Sequence, residues 1–321
     1  MHQDRKLAAV TILLIGIALT GLQDTFMKYL SGAYPFHELQ AIRCAMATIM
    51  VAAFGLATGS FAGFSWRGLG PVVTRSFILG AGSAFYYVSL AAMSLADATA
   101  IYFALPLIVA ALSGFLIKEQ VQYWRWIAAL IGFAGVLITI RPGSNLFEPA
   151  SILTLIATCL YALGNVFTRR IDRSVPPLVV GMFAGFGFLV VALLLALIFG
   201  SGAFVTSSHP SRAFLTRAWV MPTAHDWGLL IGFGFATATG FFSYAQAYRL
   251  APASFVAPFE YSAMIWAIAF GFWIFGDIPA GSTLLGSAVI IGSGLFLGWW
   301  EYRMGRAAPT LRAEPSTKNT I

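Results

Sequence analysis

The chain has 321 residues, of which 59% are hydrophobic and only 10% charged, whereas a soluble domain carries about 25% charged residues. Its formal charge of +7 would suit nucleic acid in a soluble protein, but here most of the basic residues flank apolar stretches, where the positive-inside rule accounts for them. Two cysteines are too few for a disulfide framework or a zinc site. No metal, other cofactor or nucleic acid is expected.

Ten apolar stretches follow one another, near residues 7–30, 37–58, 72–94, 98–117, 124–140, 149–168, 176–199, 227–248, 255–275 and 281–300. A spanning helix needs roughly 20 such residues, and only the fourth and fifth are at the short end. The first begins after Arg5 and Lys6 like a signal peptide. It ends on Asp24, Lys28 and Tyr29 rather than on a small-residue cleavage site, so it reads as a retained helix. Asp24 and Lys28 are four apart with the acid first, which predicts mutual neutralisation near the outer surface or a gate that breaks and reforms.

Arg43 lies six residues into the second stretch after His37-Glu38. Its guanidinium could bind a substrate carboxylate bidentately. Snorkelling to the outer interface, or a pair with Asp24 or Glu38, remains the alternative. Cys44 and, in the sixth stretch, Cys159 read as small core residues. The third stretch carries Phe85-Tyr86-Tyr87 and the eighth Phe241-Phe242-Ser243-Tyr244 at matching depth. Tyr102, Tyr161, Tyr261 and Trp266 are also within spans. Hydroxyl and indole groups need partners in a dry bundle, so Tyr87, Tyr102, Tyr161, Tyr244, Tyr261 and Trp266 either line a cavity or pack between helices.

Glu260 is six residues inside the ninth stretch, just after Pro258, which bends a helix and frees a carbonyl. An acid at that depth is expensive. It is read either as a proton-titrating or amine-binding carboxylate or as a structural acid. The connection from Gly200 to His225 carries Phe204, Phe214, Trp219, Arg212 and Arg217, and rests in the interface or lids an outer vestibule. Trp124, Trp126, Trp299, Trp300 and Tyr302 read as interface belts. Gly181-x-x-x-Gly185 and Gly294-x-x-x-Gly298 mark close helix approach, within the chain or at a dimer face. The tail 301–321 is polar and expected to lack fixed structure in the cytoplasm.

An internal repeat is visible. Leu95-Ala96-Asp97-Ala98-Thr99-Ala100 leads into a helix ending Lys118-Glu119, and Leu250-Ala251-Pro252-Ala253-Ser254-Phe255 into one ending Gly276-Asp277. Asp24-x-x-x-Lys28 matches Asn165-x-x-x-Arg169, which extends the gating reading to the inner surface. The repeat units are residues 7–141 and 149–300. Five spans per unit is an odd number, so the second copy enters the membrane from the opposite side. Two inverted copies form a transporter architecture with a midplane site and alternating access.

The run Ile101-Tyr102-Phe103-Ala104-Leu105-Pro106-Leu107, with Trp124-Arg125-Trp126, Gly132, Gly135-Val136 and Arg141-Pro142-Gly143, resembles the EamA-type pattern of the drug/metabolite transporter superfamily. Ala257-Pro258-Phe259-Glu260-Tyr261 and Gly276-Asp277-Ile278-Pro279 extend the resemblance to about residue 303, with Asp277 where the pattern usually has Glu. It implies an all-α membrane protein of ten helices around a central cavity. It also implies a secondary transporter, in a bacterial inner membrane with both termini cytoplasmic, that exports small metabolites such as amino acids. A nucleoside, vitamin or organic cation is the alternative substrate, and a non-transporting receptor the other class. Protons are the candidate coupling ion, the lipid bilayer is the second partner, and monomer or dimer stays open. Neither H-E-x-x-H nor G-x-S-x-G occurs, and no P-loop, so no catalytic residue is assigned.

Overall fold

In the computed structural model, residues 2–59, 69–117, 123–143, 147–168, 170–172, 175–204, 209–251 and 256–306 are described. Helix fills each predicted stretch: α1 (His2–Leu30), α2 (Phe36–Ala57), α3 (Gly70–Leu90), α4 (Leu95–Tyr102), α5 (Leu105–Ile117), α6 (Tyr123–Ile140), α7 (Ala150–Thr168) and α8 (Pro177–Phe199). Then come the short α9 (Pro210–Thr216), α10 (Ala224–Leu250), a 3-10 turn (Ala257–Ser262), α11 (Ala263–Phe270), a π-turn (Gly271–Phe275) and α12 (Gly281–Arg306). Among the described residues no strand occurs. Among the described residues, seven segments are both long and apolar enough to cross a membrane by themselves, and Trp126–Ile140 is a shorter apolar helix.

Two spans are broken, each at a proline. Pro106 has no N–H to give the Tyr102 carbonyl, and its ring crowds that turn. So α4 ends at Tyr102 and α5 restarts at Leu105. Pro258 opens the 3-10 turn that carries Glu260. The same span ends in the π-turn, and Gly276 then reverses the chain at φ 70°, where a side chain would be strained. Elsewhere local caps set the starts. Ser94 Oγ accepts from the Asp97 N–H at 3.0 Å at the head of α4, and Thr223 Oγ1 from the Asp226 N–H at 3.2 Å at the head of α10.

Packing pairs α1 with α10, α3 with α7, α2 with α8, and α6 with α12. The α6–α12 seam closes on Gly135. A Cβ there would stand 2.7 Å from Ile290 Cγ1 and 2.9 Å from the Gly286 carbonyl. Of the two predicted small-residue motifs, Gly185 meets Thr48 of α2 and Gly294 meets the Tyr261 hydroxyl, while Gly181 and Gly298 meet nothing. The motifs therefore mark contacts inside the bundle at one position each.

The molecule is apolar outside and polar within. Leu197 is 83% exposed and Ile265 67%, whereas Arg43, Gln40, Ser83 and Thr158 are at most 1% exposed. Water would penalise that outer face; lipid does not. Cys44 is buried as expected, but Cys159 is exposed on the outward side of α7. At one end of the bundle Trp124 lies 5.8 Å from Trp300, and the Arg303 guanidinium sits 4.5 Å over Trp299, an aromatic belt beside a cation. The Tyr302 side chain and most of the tail lie outside the described residues.

Candidate functional site

The interior polar groups converge where α1, α2, α3 and α7 face the break between α4 and α5. Asp24, on α1, accepts from two phenols of α3: Tyr86 at 3.0 Å to Oδ2 and Tyr87 at 3.1 Å to Oδ1. Gln23 donates to the Tyr87 oxygen. Asp24 is surrounded by protein, yet its side chain is not sealed from solvent-sized space. We read that combination as the wall of an internal chamber.

Arg43, from α2, is the largest fully buried side chain. Its charge lies 5.3 Å from the Tyr87 ring centre and 5.5 Å from that of Phe233, favourable electrostatics for a desolvated guanidinium. It does not snorkel to the surface. Its Nη2 donates to Gln40 Oε1 at 2.7 Å, and Gln40 donates to Ser83 at 3.0 Å. Asp24 is close enough to Arg43 to interact electrostatically, so the buried charges compensate each other in part.

Four tyrosines continue the wall edge to face. Ring centres of Tyr86 and Tyr87 are 5.3 Å apart, Tyr86 and Tyr102 6.0 Å, Tyr102 and Tyr161 5.8 Å. Tyr102 occupies the α4 break. It is within electrostatic reach of Tyr244 and Glu260, which brings the second half of the chain into the same chamber. Tyr244 bonds to Thr20 of α1 and also feels Glu260. Arg43, Tyr87, Tyr102, Tyr161 and Tyr244 are therefore gathered around Asp24, with Glu260 beside Tyr102 and Tyr244.

Other predicted site residues go elsewhere. The Tyr261 hydroxyl is wedged against Gly294 of α12, and its ring packs on Phe103 at 5.1 Å. Trp266 stacks on Phe270 at 5.4 Å and packs against Gly21 of α1. Both are packing residues in this conformation. Asp24 and Lys28 do not neutralise each other. Asp24 turns inward to the phenols, while Lys28 reaches the bundle end and donates to Asp277 Oδ2 at 2.9 Å and the Met93 carbonyl at 2.7 Å. Asn165 is exposed and does not line the chamber. Its proposed partner Arg169 lies outside the described residues. Gln23, Gln40 and Ser83 also belong to the site, though no sequence pattern named them, and Tyr86, read only as part of the aromatic cluster of the third stretch, joins them. The i, i+3 pairing of Gln40 with Arg43 on one helix face was the available signal for one of them.

The bundle end where α1 finishes is laced across by polar bonds. Besides Lys28–Asp277, Arg141 Nη2 lies 3.7 Å from Asp97 Oδ1, which also accepts from Thr283. The segment around α9 folds over this end. Phe214 is buried against Phe36 at 5.9 Å, and Arg217 caps the Ser31 carbonyl at 2.8 Å. Glu38 accepts from the Val220 N–H at 3.0 Å, and Trp219 stacks on His37 at 5.8 Å. His209 meets Glu148 at 3.3 Å. Thr223 and then Tyr34 donate to Asp226, which draws the Asp226 carboxyl below its usual range, while the bond to Asp226 pushes the Tyr34 phenol up. Among the described residues, no three His, Cys, Asp or Glu side chains converge as a metal would need.

Comparison with known proteins agrees with this picture. Residues 7–141 match the EamA-like transporter family. The chain is 32% identical over 203 residues to the riboflavin transporter of Vibrio cholerae, an alignment spanning 63% of this chain and 61% of that protein, under two thirds of its length. It is 22% identical over 288 residues to the S-adenosylmethionine uptake transporter of Rickettsia prowazekii, covering 90% of this chain and 91% of that one. A riboflavin transporter of Rhizobium johnstonii is 26% identical over 243 residues, 76% of this chain and 73% of that protein. A solved crystal structure, 21% identical, superposes with a TM-score of 0.57 over 92% of this chain and 98% of its own, a likeness of fold alone. An all-helical, multi-pass bacterial membrane protein by its described residues, the chain is similar over residues 7–141 to the EamA-like transporter family.

Proposed function

We propose that this protein is a secondary carrier of the bacterial inner membrane, taking up a small solute that joins a planar nitrogen heterocycle to a hydroxylated five-carbon chain or sugar. Riboflavin and S-adenosylmethionine share that chemistry, and they are the solutes for which its relatives are named. The observation that carries the reading is the tyrosine wall, Tyr86–Tyr87–Tyr102–Tyr161, closing on Asp24 and Arg43 at the α4 break. Phenol rings offer stacking faces, and their hydroxyls offer partners to a polyol. The amino-acid export expected from the family pattern has no support in these relatives, and the vitamin alternative does. Asp24 and Glu260 are the candidate proton acceptors in the chamber.

Alternating access would arise from two inverted repeats, residues 7–141 and 149–300. Packing supports this. Exchanging each helix for its counterpart in the other half turns the α1–α10 pair into α7–α3, and leaves α2–α8 and α6–α12 unchanged. Under that symmetry both prolines would fall in the fourth span of their half, and Tyr102 and Glu260 would occupy equivalent breaks.

Counterflow in proteoliposomes tests the reading. Riboflavin, S-adenosylmethionine and an amino-acid pool are loaded in turn, and labelled solute is followed against empty liposomes. Exchange of riboflavin or S-adenosylmethionine is expected. Exchange of amino acids alone would return the protein to the exporter reading, and silence across all three would sink the carrier.

A further inference from the structure

Two polarised hydrogen-bond chains meet at Tyr87, and each leaves one atom unpaired. Tyr87 gives its only O–H to Asp24 Oδ1, so its oxygen can take the Gln23 bond only as an acceptor. Gln23 must therefore present Nε2 to Tyr87, which turns Oε1 away, and Oε1 has no partner. Arg43, whose charge lies 5.3 Å from the Tyr87 ring centre, commits Nη2 to Gln40, which donates to Ser83, which donates to the Gly80 carbonyl at 2.8 Å. Arg43 Nε is left without an acceptor. Gln23 is 5% exposed and Arg43 1%. Buried polar groups are nearly always paired, and each exception calls for a cause.

We propose that Gln23 Oε1 and Arg43 Nε together read the substrate, and that they take the lactam edge of its heterocycle. The ring N–H donates to Gln23 and the neighbouring carbonyl accepts from Arg43. This rests on the reading of the chamber as a site for a riboflavin-like solute and narrows it to one edge of one ring. An unpaired acceptor and an unpaired donor, on two residues that both contact Tyr87, match the donor–acceptor pair of a lactam. A carboxylate fits less well, because it offers acceptors only and because Gln40 already holds one arm of the guanidinium fork. Tyr86, Tyr102 and Tyr161 continue from Tyr87 as faces for the rest of the ring system. Both atoms are buried in this conformation, so admitting the ring requires the surrounding side chains to move.

Matched ligand pairs test it. Solute-induced thermal stabilisation of the full-length protein in detergent is titrated with riboflavin against 3-methylriboflavin, and with inosine against 1-methylinosine. S-adenosylmethionine, which has no lactam, is the comparison. At least one lactam is expected to bind about tenfold or more tighter than its N-methyl partner, the scale of a lost hydrogen bond in a site built to make it. The near-isosteric Gln23→Met should bring that ratio close to one. Equal binding within both pairs overturns the proposal, as does a ratio that survives Gln23→Met or stabilisation by S-adenosylmethionine alone. The wild-type comparison needs no variant to fold. Exchange of S-adenosylmethionine in liposomes without lactam selectivity would remove the edge and leave the carrier standing, whereas no exchange of any solute removes the carrier itself.

Discussion

At the scale of single residues, the two interior acids have different surroundings and should behave differently. Asp24 accepts two phenol bonds and sits near Arg43. Asp24→Asn removes the charge opposing a buried guanidinium and places an N–H against a phenol donor. Exchange should fall by more than about tenfold, since an unpaired buried charge is costly. Exchange within a factor of two of wild type would show that Asp24 is not needed there. Glu260, on the proline-opened turn, is the candidate proton carrier. Glu260→Gln should insert normally but lose proton coupling or exchange, and wild-type rates with the same pH profile would count against that role. The Asp226 carboxyl accepts from Thr223 and from Tyr34, and both bonds are strongest with the acid ionised. With the acid's folded value below 3.8, its contribution to stability is complete above that pH and lost as pH falls through the lowered value. Asp226→Asn should flatten thermal stability on the acid side, and an unchanged acid slope would remove these bonds from the account.

The elements were readable from residue pattern because lipid imposes it: a backbone in hydrocarbon must bond to itself, and apolar length marks where it does. What the pattern missed was direction. Asp24 and Lys28 have the spacing of a helical ion pair, but spacing makes neighbours without fixing where each head points. The acid found phenols within the bundle, and the lysine found Asp277, 249 residues away in sequence. Gln23 and Gln40 escaped because an uncharged amide in an apolar stretch carries no charge signal. Pro258 was legible as a bend; Pro106 was noticed within a family pattern, while its break at Tyr102 became visible only in the structure. Pro106→Ala would restore the Tyr102 carbonyl bond and lengthen α4 into α5. A melting temperature raised by a few degrees, with exchange lowered about tenfold, is expected from filling a break used for function. A gain in exchange would contradict it. Gly135→Val should act in the opposite sense on stability, by about 1–3 kcal/mol, because α6 and α12 touch there.

Across the whole molecule, one end of the bundle is tied shut by contacts that cross between the halves. Lys28 and Asp277 are 14% and 34% exposed, so their pair contributes no more than about 1 kcal/mol to stability. Its effect should show in opening instead. With Cys159 first replaced by Ser, a cysteine at Met93 should be labelled several-fold faster by a membrane-impermeant thiol reagent in Lys28→Ala. The charge-exchanged double variant, Lys28→Asp with Asp277→Lys, should slow labelling again. Equal rates in all three would mean that the pair is not a tether.

The strap around α9 has a thermodynamic consequence. It covers one face of a molecule whose two halves otherwise pack alike. A carrier that spends no fuel obeys detailed balance, so a one-sided cover cannot make it a valve. It can change the apparent affinity and the turnover seen from each face. Their ratio, the specificity constant, must then be equal in the two directions when no gradient is applied. Any net direction of flux belongs to the solute or ion gradient and not to the architecture.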